Sequence, residues 1–194
     1  MPFINVSKNN SKLVLDKFRK VCIIINKMKY SAVHRSKPSM TILWLQEQNL
    51  LVGDMLDYGC GKGLDADYFG MDKYDPFDPS WSNITLDTDK RYDTIVCNFV
   101  MNILEPGEEF FVLENIQRLL KPDGIAYIVV LRTVRKMISY KSNVQHYIVM
   151  SLESIRHMKR WYEIYKLTKK DDLSKLEYKE IPLSSFKINK RESL

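Results

Sequence analysis

Three glycines at alternate positions, Gly59, Gly61 and Gly63, follow an apolar run that carries Asp57, in the stretch MLDYGCGKGLD at residues 55 to 65. A strand running into such a turn brings bare backbone close to a ligand. The spacing then separates the ligands. A dinucleotide turn reads G-x-G-x-x-G, because a helix N-terminus must meet a pyrophosphate and the third glycine lets helix and strand pack closely. Here the glycines read G-x-G-x-G, and Lys62 lies between two of them with no Ser or Thr behind it, so the phosphate-loop pattern G-x-x-x-x-G-K-[ST] is absent as well. Nothing in the turn is built for a triphosphate. What remains is a flat nucleoside body without phosphates, which also calls for a carboxylate at the tip of the second strand to take the ribose hydroxyls. Asp75 in KYDPF stands 18 residues after Asp57, where that carboxylate is expected, with Asp72 the alternative if the strand ends earlier.

The elements that would position these residues follow from periodicity. Leu13 to Met28 carries apolar residues at helical spacing with lysines and arginines on the other faces, which predicts a basic amphipathic helix, although VCIII is β-branched enough for a strand. SKPSMTILWLQEQNLL predicts a second helix with Ser36 as its cap and Pro38 in an early position. DMLDYG is a short buried strand, KYDPF a second one after a very short crossover helix, ITLD a third at an edge, and YDTIVCNF a fourth. Pro106 to Leu120 reads as a helix ended by Pro122 and Gly124, and IAYIVVLR as a continuous apolar strand of a sheet covered on both faces. VQHYIVMSL and WYEIYKL, joined by the basic ESIRHMKR, predict an antiparallel pair or a strand-helix-strand at the sheet edge. The expected class is α/β, a Rossmann-like doubly wound and mostly parallel sheet with an antiparallel edge pair near the C-terminus. We divide the chain into a basic helical extension (1–50), a core (51–170) and a polar tail (171–194).

Charge is unevenly placed. Residues 1–50 hold 9 basic and 2 acidic side chains, residues 51–125 hold 6 and 15, and residues 126–194 hold 15 and 7, for a net +6. Basic flanks around an acidic centre are either solvated helix faces or a footprint for a polyanion, and nucleic acid is the candidate partner. No apolar run approaches the roughly 20 residues of a membrane span, and MPFINVSKNN lacks a signal-peptide design, so no membrane partner and a cytoplasmic location are expected. Cys22, Cys60 and Cys97 form neither a disulfide framework nor a metal set, and His146 and His157 have no metal spacing, so no metal is expected.

With these residues in view, the chain resembles the class I S-adenosylmethionine-dependent methyltransferases. The resemblance rests on LDYGCGKG, YDPF, YDTIVCNFVMNILE and LKPDGIAYIVV, roughly residues 50 to 132. SAVHR, DYGCGKGLD, YDPFDP and NFVMNILEPGEE, in that order, further resemble a bacterial and phage group of methyltransferases found beside DNA phosphorothioation systems. What the resemblance implies is S-adenosylmethionine as cofactor. Asp57, Tyr58, Gly59, Cys60, Gly61 and Gly63 would surround its methionyl and ribose part, with Cys60 contributing backbone. Asp75 would take the ribose hydroxyls, Asn98 would line the methyl-donor pocket, and Asp87 is a candidate for the adenine edge. A catalytic residue is not assigned. His34 is a candidate base and Arg35 a candidate anion clamp, against the reading that both are surface residues of a basic lead-in. The chain lacks the Asn/Asp-Pro-Pro-aromatic motif of DNA amino-methyltransferases and the Pro-Cys pair of cytosine-C5 enzymes. Two functions stay open: a methyltransferase acting on a nucleic acid or nucleotide-like acceptor, and a methyltransferase-like binding protein without turnover.

Overall fold

A computed structural model describes residues 35–70, 74–80, 86–104, 107–132, 147–159 and 161–181. Ser39 caps the first described helix, α1 (Met40–Glu47), accepting a hydrogen bond on Oγ from the Ile42 amide. The cap is thus Ser39 and not Ser36, and Pro38 precedes the helix instead of sitting in its first turn. The basic helix expected over residues 13–28 lies outside the described residues, and so do the first two residues of ITLD, while Leu86 and Asp87 are not in a strand.

Strand β1 (Met55–Tyr58) leads through the glycine turn to α2 (Leu64–Phe69), six residues long as the compact crossover requires, and then to β2 (Tyr74–Phe77). β3 (Tyr92–Asn98) is followed by a 3-10 turn (Met101–Ile103), α3 (Glu108–Leu119) and β4 (Leu120–Leu131). The pairs β2–β1, β1–β3 and β3–β4 are parallel. β7 (Tyr162–Thr168) then runs antiparallel to β4, and β6 (Glu153–Met158) antiparallel to β7. The six-stranded order is β2-β1-β3-β4-β7-β6. The fold is the Rossmann-like α/β sheet, mostly parallel, with its antiparallel strands near the C-terminus.

Two details differ from expectation. Pro122 and Gly124 lie beyond α3, as expected, but inside β4, at a register shift where Leu120 pairs with Tyr92 and Ile125 with Thr94. Proline is tolerated at such a bulge, and a Cβ on Gly124 would stand 2.6 Å from the Tyr92 carbonyl oxygen. ESIRHM is a strand, not a connector: it forms the edge hairpin with β7, whereas β5 (Tyr147–Met150) pairs with β8 (Tyr178–Ile181) in a separate two-stranded sheet. The polar tail therefore supplies a strand of its own.

Strand alternation gives the sheet two apolar faces. Met55, Tyr74, Val96, Tyr127, Val129 and Ile164 meet Ile42 and Leu45 of α1 and Ala66 of α2. Leu56, Tyr58, Ile95, Cys97, Ile128 and Val130 meet Val112, Leu113 and Ile116 of α3. Asp57 and Asn98 fall on the α1 face by the same alternation.

Candidate functional site

β2 and β3 lie on opposite sides of β1, so the strand order reverses there, and the crevice opens at the carboxyl ends of β1 and β3. In open α/β sheets that is where ligands bind. The glycine turn walls this crevice. Its start is tied to the end of β2: the Gly59 and Cys60 amides both donate to the Phe77 carbonyl, at 2.7 and 3.1 Å. Gly59 has φ +82°, and a Cβ there would stand 2.3 Å from Val100 Cγ2 beyond the end of β3. Only glycine serves where the turn both takes a left-handed conformation and touches the next loop.

Asp78 follows the last residue of β2. It is buried, its Oδ2 accepts from the Gly61 amide at 2.9 Å and its Oδ1 from the Ser80 amide at 2.8 Å. Asp75 is placed differently from the expectation. It lies opposite Leu56, three residues before Asp78, and its Oδ2 accepts from Lys90 Nζ at 2.6 Å and from the Tyr92 hydroxyl at 2.9 Å. Because β2 runs on to Phe77, the carboxylate at its tip is Asp78. Sequence reasoning passed over it, although a second Asp-Pro step in YDPFDP, directly behind an apolar Phe, marked it. Asp72, the alternative, lies outside the described residues, as does His34. Asp87 is exposed and caps a turn, accepting from the Asp89 and Lys90 amides.

Asp57 is 1% exposed, and its Oδ2 has no hydrogen-bond partner among the described residues. Burial, chiefly, then the charges of Asp65 and Asp78, hold its pKa well above the ordinary carboxylate range, against the pull of Arg35. The Tyr58 side chain turns to the other face, its hydroxyl accepting from Asn115 Nδ2 at 2.8 Å, so Tyr58 meets the crevice with backbone alone. Cys60 is buried beside the turn, and burial pushes its thiol pKa up, so it stays a thiol.

A polar network that the sequence did not announce closes the crevice on the α1 side. Asp65, in the first turn of α2, takes both guanidinium nitrogens of Arg35 at 3.1 and 3.0 Å, the Ser39 amide at 2.8 Å and the Ser39 hydroxyl at 3.1 Å. Asn98 joins it: Nδ2 donates to Ser39 Oγ at 2.8 Å, and Oδ1 accepts from Thr41 Oγ1 at 2.9 Å. Asn98 thus stands at the carboxyl end of β3, as expected, with its amide committed to the start of α1. Arg35 acts here as a strut between the lead-in and α2.

The crevice therefore gathers Asp57, Asp65 and Asp78 within reach of one another's charge, with Arg35 beside them. That balance disfavours a pyrophosphate and suits a cationic ligand. A family profile described as a methyltransferase domain matches residues 34–169. The chain belongs to the methyltransferase domain family. Among solved structures, the 1,6-didemethyltoxoflavin N1-methyltransferase of Burkholderia thailandensis, holding 1,6-didemethyltoxoflavin and S-adenosylhomocysteine, is 15% identical. The match covers 86% of this chain and 91% of that one at a TM-score of 0.50, a likeness of fold. The N-methyltransferase NodS of Bradyrhizobium japonicum, with S-adenosylhomocysteine, is 11% identical over 74% of this chain and 97% of its own, at a TM-score of 0.46. No curated protein matches the chain.

The crevice offers groups that fit S-adenosylmethionine, the cofactor whose demethylated product both of these structures hold. The buried carboxylate of Asp57, with no partner for Oδ2 among the described residues, has the sign to face a cation, Asp78 presents a second buried carboxylate at the tip of β2, and Gly59 leaves the wall of the crevice bare.

Proposed function

We propose that the chain binds S-adenosylmethionine in this crevice and transfers its methyl group to a nucleophilic acceptor. The observation that carries the reading is Asp57, a buried carboxylate with no partner for Oδ2 among the described residues, set behind a glycine turn at the point of strand-order reversal. An unpartnered buried carboxylate is costly, and a bound cation offsets that cost. The cofactor supplies a sulfonium-activated methyl group, and the protein's task is alignment and exclusion of water. Asp78 takes the ribose hydroxyls, while Gly59, Cys60, Gly61 and Gly63 present backbone to the cofactor's methionyl and ribose part. Asp65, through Arg35 and Ser39, holds the lead-in and α1 against α2 so that the α1 side of the crevice stays closed.

For the acceptor we propose a nucleic acid or nucleotide-like molecule. Support comes from the excess of 15 basic over 7 acidic residues in 126–194, from the basic N-terminal flank, and from the resemblance to methyltransferases beside DNA phosphorothioation systems. A specific observation favours a second reading, a small-molecule acceptor. Two cations of the basic flanks are already engaged: Arg35 pairs with Asp65, and the Arg156 guanidinium lies 4.3 Å from the Trp44 ring centre. The 1,6-didemethyltoxoflavin N1-methyltransferase, which holds 1,6-didemethyltoxoflavin, has this fold.

Two measurements test these readings. S-adenosylhomocysteine should raise the melting temperature of the purified chain, by linkage to the native state alone, while NAD and ATP leave it unchanged. No shift at saturating S-adenosylhomocysteine would overturn the cofactor assignment. Transfer of tritium from labelled S-adenosylmethionine into DNA, RNA or a small-molecule extract then identifies the acceptor pool, and cofactor binding without transfer into any pool would favour a binding protein over an enzyme.

A further inference from the structure

The β1–β2 pair buries a second polar group without a partner, on the same face as Asp57. Tyr74 is 0% exposed, and its hydroxyl has no hydrogen-bond partner among the described residues. Its ring packs edge-on to Phe69 of α2, with centroids 5.6 Å apart at 65°, within the apolar cluster of Ile42, Leu45, Met55 and Ala66. A phenylalanine would make the same contacts. A buried hydroxyl left unbonded costs stability, so packing alone leaves the Tyr74 oxygen unexplained.

Register shows what lies near that oxygen. Tyr74 pairs with Met55 and Asp57 with Pro76, so Tyr74 and Asp57 are diagonal neighbours on adjacent parallel strands, on the face that meets α1 and α2. Two residues along one strand and one strand across put their Cα atoms about 8 Å apart, a span that an aromatic side chain bridges. The charges agree with that placement. Burial raises the phenol's pKa well above its ordinary value, and among the charged groups Asp57 raises it most, ahead of Asp65 and Cys60 and against the pull of Arg35. The phenol is therefore neutral and keeps a proton to donate. Asp57 Oδ2, also without a partner among the described residues, is a buried acceptor on the same face. The two orphaned groups are complementary.

We propose that Tyr74 is a positioning residue of the methyl-donor site, whose hydroxyl donates to Asp57 Oδ2 when Asp57 is ionised and faces the cofactor's cation. This role rests on Asp57 being the cation-facing group of the S-adenosylmethionine crevice. A carboxylate accepts several hydrogen bonds, so it can hold the Tyr74 donor and the cofactor at once. A hydrogen bond to the ionised form favours that form, and the hydroxyl thereby offsets part of the cost of a charge in so buried a place.

The test is calorimetric titration with S-adenosylhomocysteine across pH, on the intact chain and on its Tyr74→Phe, Asp57→Asn and doubly substituted forms. Tyr74→Phe should bind about tenfold more weakly, while its melting temperature without ligand stays equal or rises, because the unbonded hydroxyl is gone. Affinity of the unmodified chain should rise with pH as Asp57 ionises, and Tyr74→Phe should move the midpoint of that rise upward, because a donor to the ionised form has been removed. Asp65, Asp78, Arg35 and the Cys60 thiol also act on this place. They are the same in both chains, so the difference between the midpoints reports on Tyr74 and Asp57. In the Asp57→Asn background, Tyr74→Phe should cost at most about twofold more. Should Asp57→Asn bind too weakly to titrate, the affinity and the midpoint of Tyr74→Phe decide it. Equal affinity with an equal midpoint in Tyr74→Phe, a tenfold loss that persists in the Asp57→Asn background, or a lower melting temperature of Tyr74→Phe without ligand would each overturn this role and leave the cofactor assignment in place. No binding of S-adenosylhomocysteine to the unmodified chain would overturn both.

Discussion

At the scale of the residue, the carboxylates of the crevice differ in what surrounds them, and their substitutions should differ accordingly. Asp78→Ala removes the acceptor at the tip of β2 and should weaken S-adenosylhomocysteine binding by roughly 1.5–3 kcal/mol, the range for hydrogen bonds to a charged group. Asp75→Ala loses a half-exposed pair with Lys90 and a bond from Tyr92, and should cost at most about 1 kcal/mol of stability with cofactor affinity unchanged. Calorimetric titration of both variants checks this, and the reverse ranking would return the ribose contact to Asp75. Asp57 makes a prediction with a sign. Burial raises its pKa in the folded chain above the unfolded value of about 3.9, so its contribution to stability is complete below that value and is lost as pH rises through the folded one. Asp57→Asn should therefore melt higher than the unmodified chain at pH 8, by about 2–4 °C per kcal/mol recovered, and bind the cofactor more weakly. An Asn variant that melts lower at pH 8 would show that Asp57 is compensated in the folded chain. The role of the glycines could be read from sequence because a turn states its backbone demand in its residue types. The choice between Asp75 and Asp78 could not, because it depends on where β2 ends, which the pairing of Met55 with Tyr74 and of Tyr58 with Phe77 determines.

At the scale of the element, the parts that local pattern controls matched the structure, and the parts that pairing controls did not. α3 and the core strands β1 and β3 have periodicity strong enough to be read directly. The segment ESIRHM alternates too weakly for that. It becomes a strand because β7 offers it an edge and because Arg156 can lie over Trp44 of α1, contacts distant in sequence. The strut on α2 belongs to the same class. Asp65 is one of two acidic residues, with Asp67, in a helix's first turn, an ordinary dipole partner by sequence. In the fold it ties together residues 35, 39 and α2, and through Ser39 it reaches Asn98. Asp65→Ala would leave the Ser39 amide buried without its partner and should cost about 2 kcal/mol or more in urea unfolding. Amide exchange should rise through residues 35–47 and stay unchanged in β4. Unaltered exchange there would mean that α1 is held by Ile42 and Leu45 alone.

At the scale of the whole molecule, the open question is whether the net charge of +6 is organised to receive a polyanion. Among the lysines and arginines of the basic flanks, Lys17, Lys20 and Arg160 lie outside the described residues, Arg35 is paired with Asp65, Arg156 is stacked on Trp44, and Lys159 is exposed. The crevice itself is lined by carboxylates, which repel phosphates, so a nucleic acid would have to be held by the flanks while one base reaches the methyl donor. That arrangement has a measurable signature. If several cations neutralise ordered phosphates, the affinity for a generic oligonucleotide should fall steeply with salt. The log-log slope should be near −0.9 per phosphate neutralised on duplex DNA and near −0.7 on single strands. Lys159→Glu should then shallow the slope by about one phosphate contact without changing S-adenosylhomocysteine affinity. A chain whose basic residues are only solvated neutralises no ordered array and gives a shallow slope that Lys159→Glu leaves in place. Absence of measurable oligonucleotide binding at low ionic strength would move the acceptor to the small-molecule class, and the methyl-donor site, built from Asp57, Asp78 and the glycine turn, would stand as before.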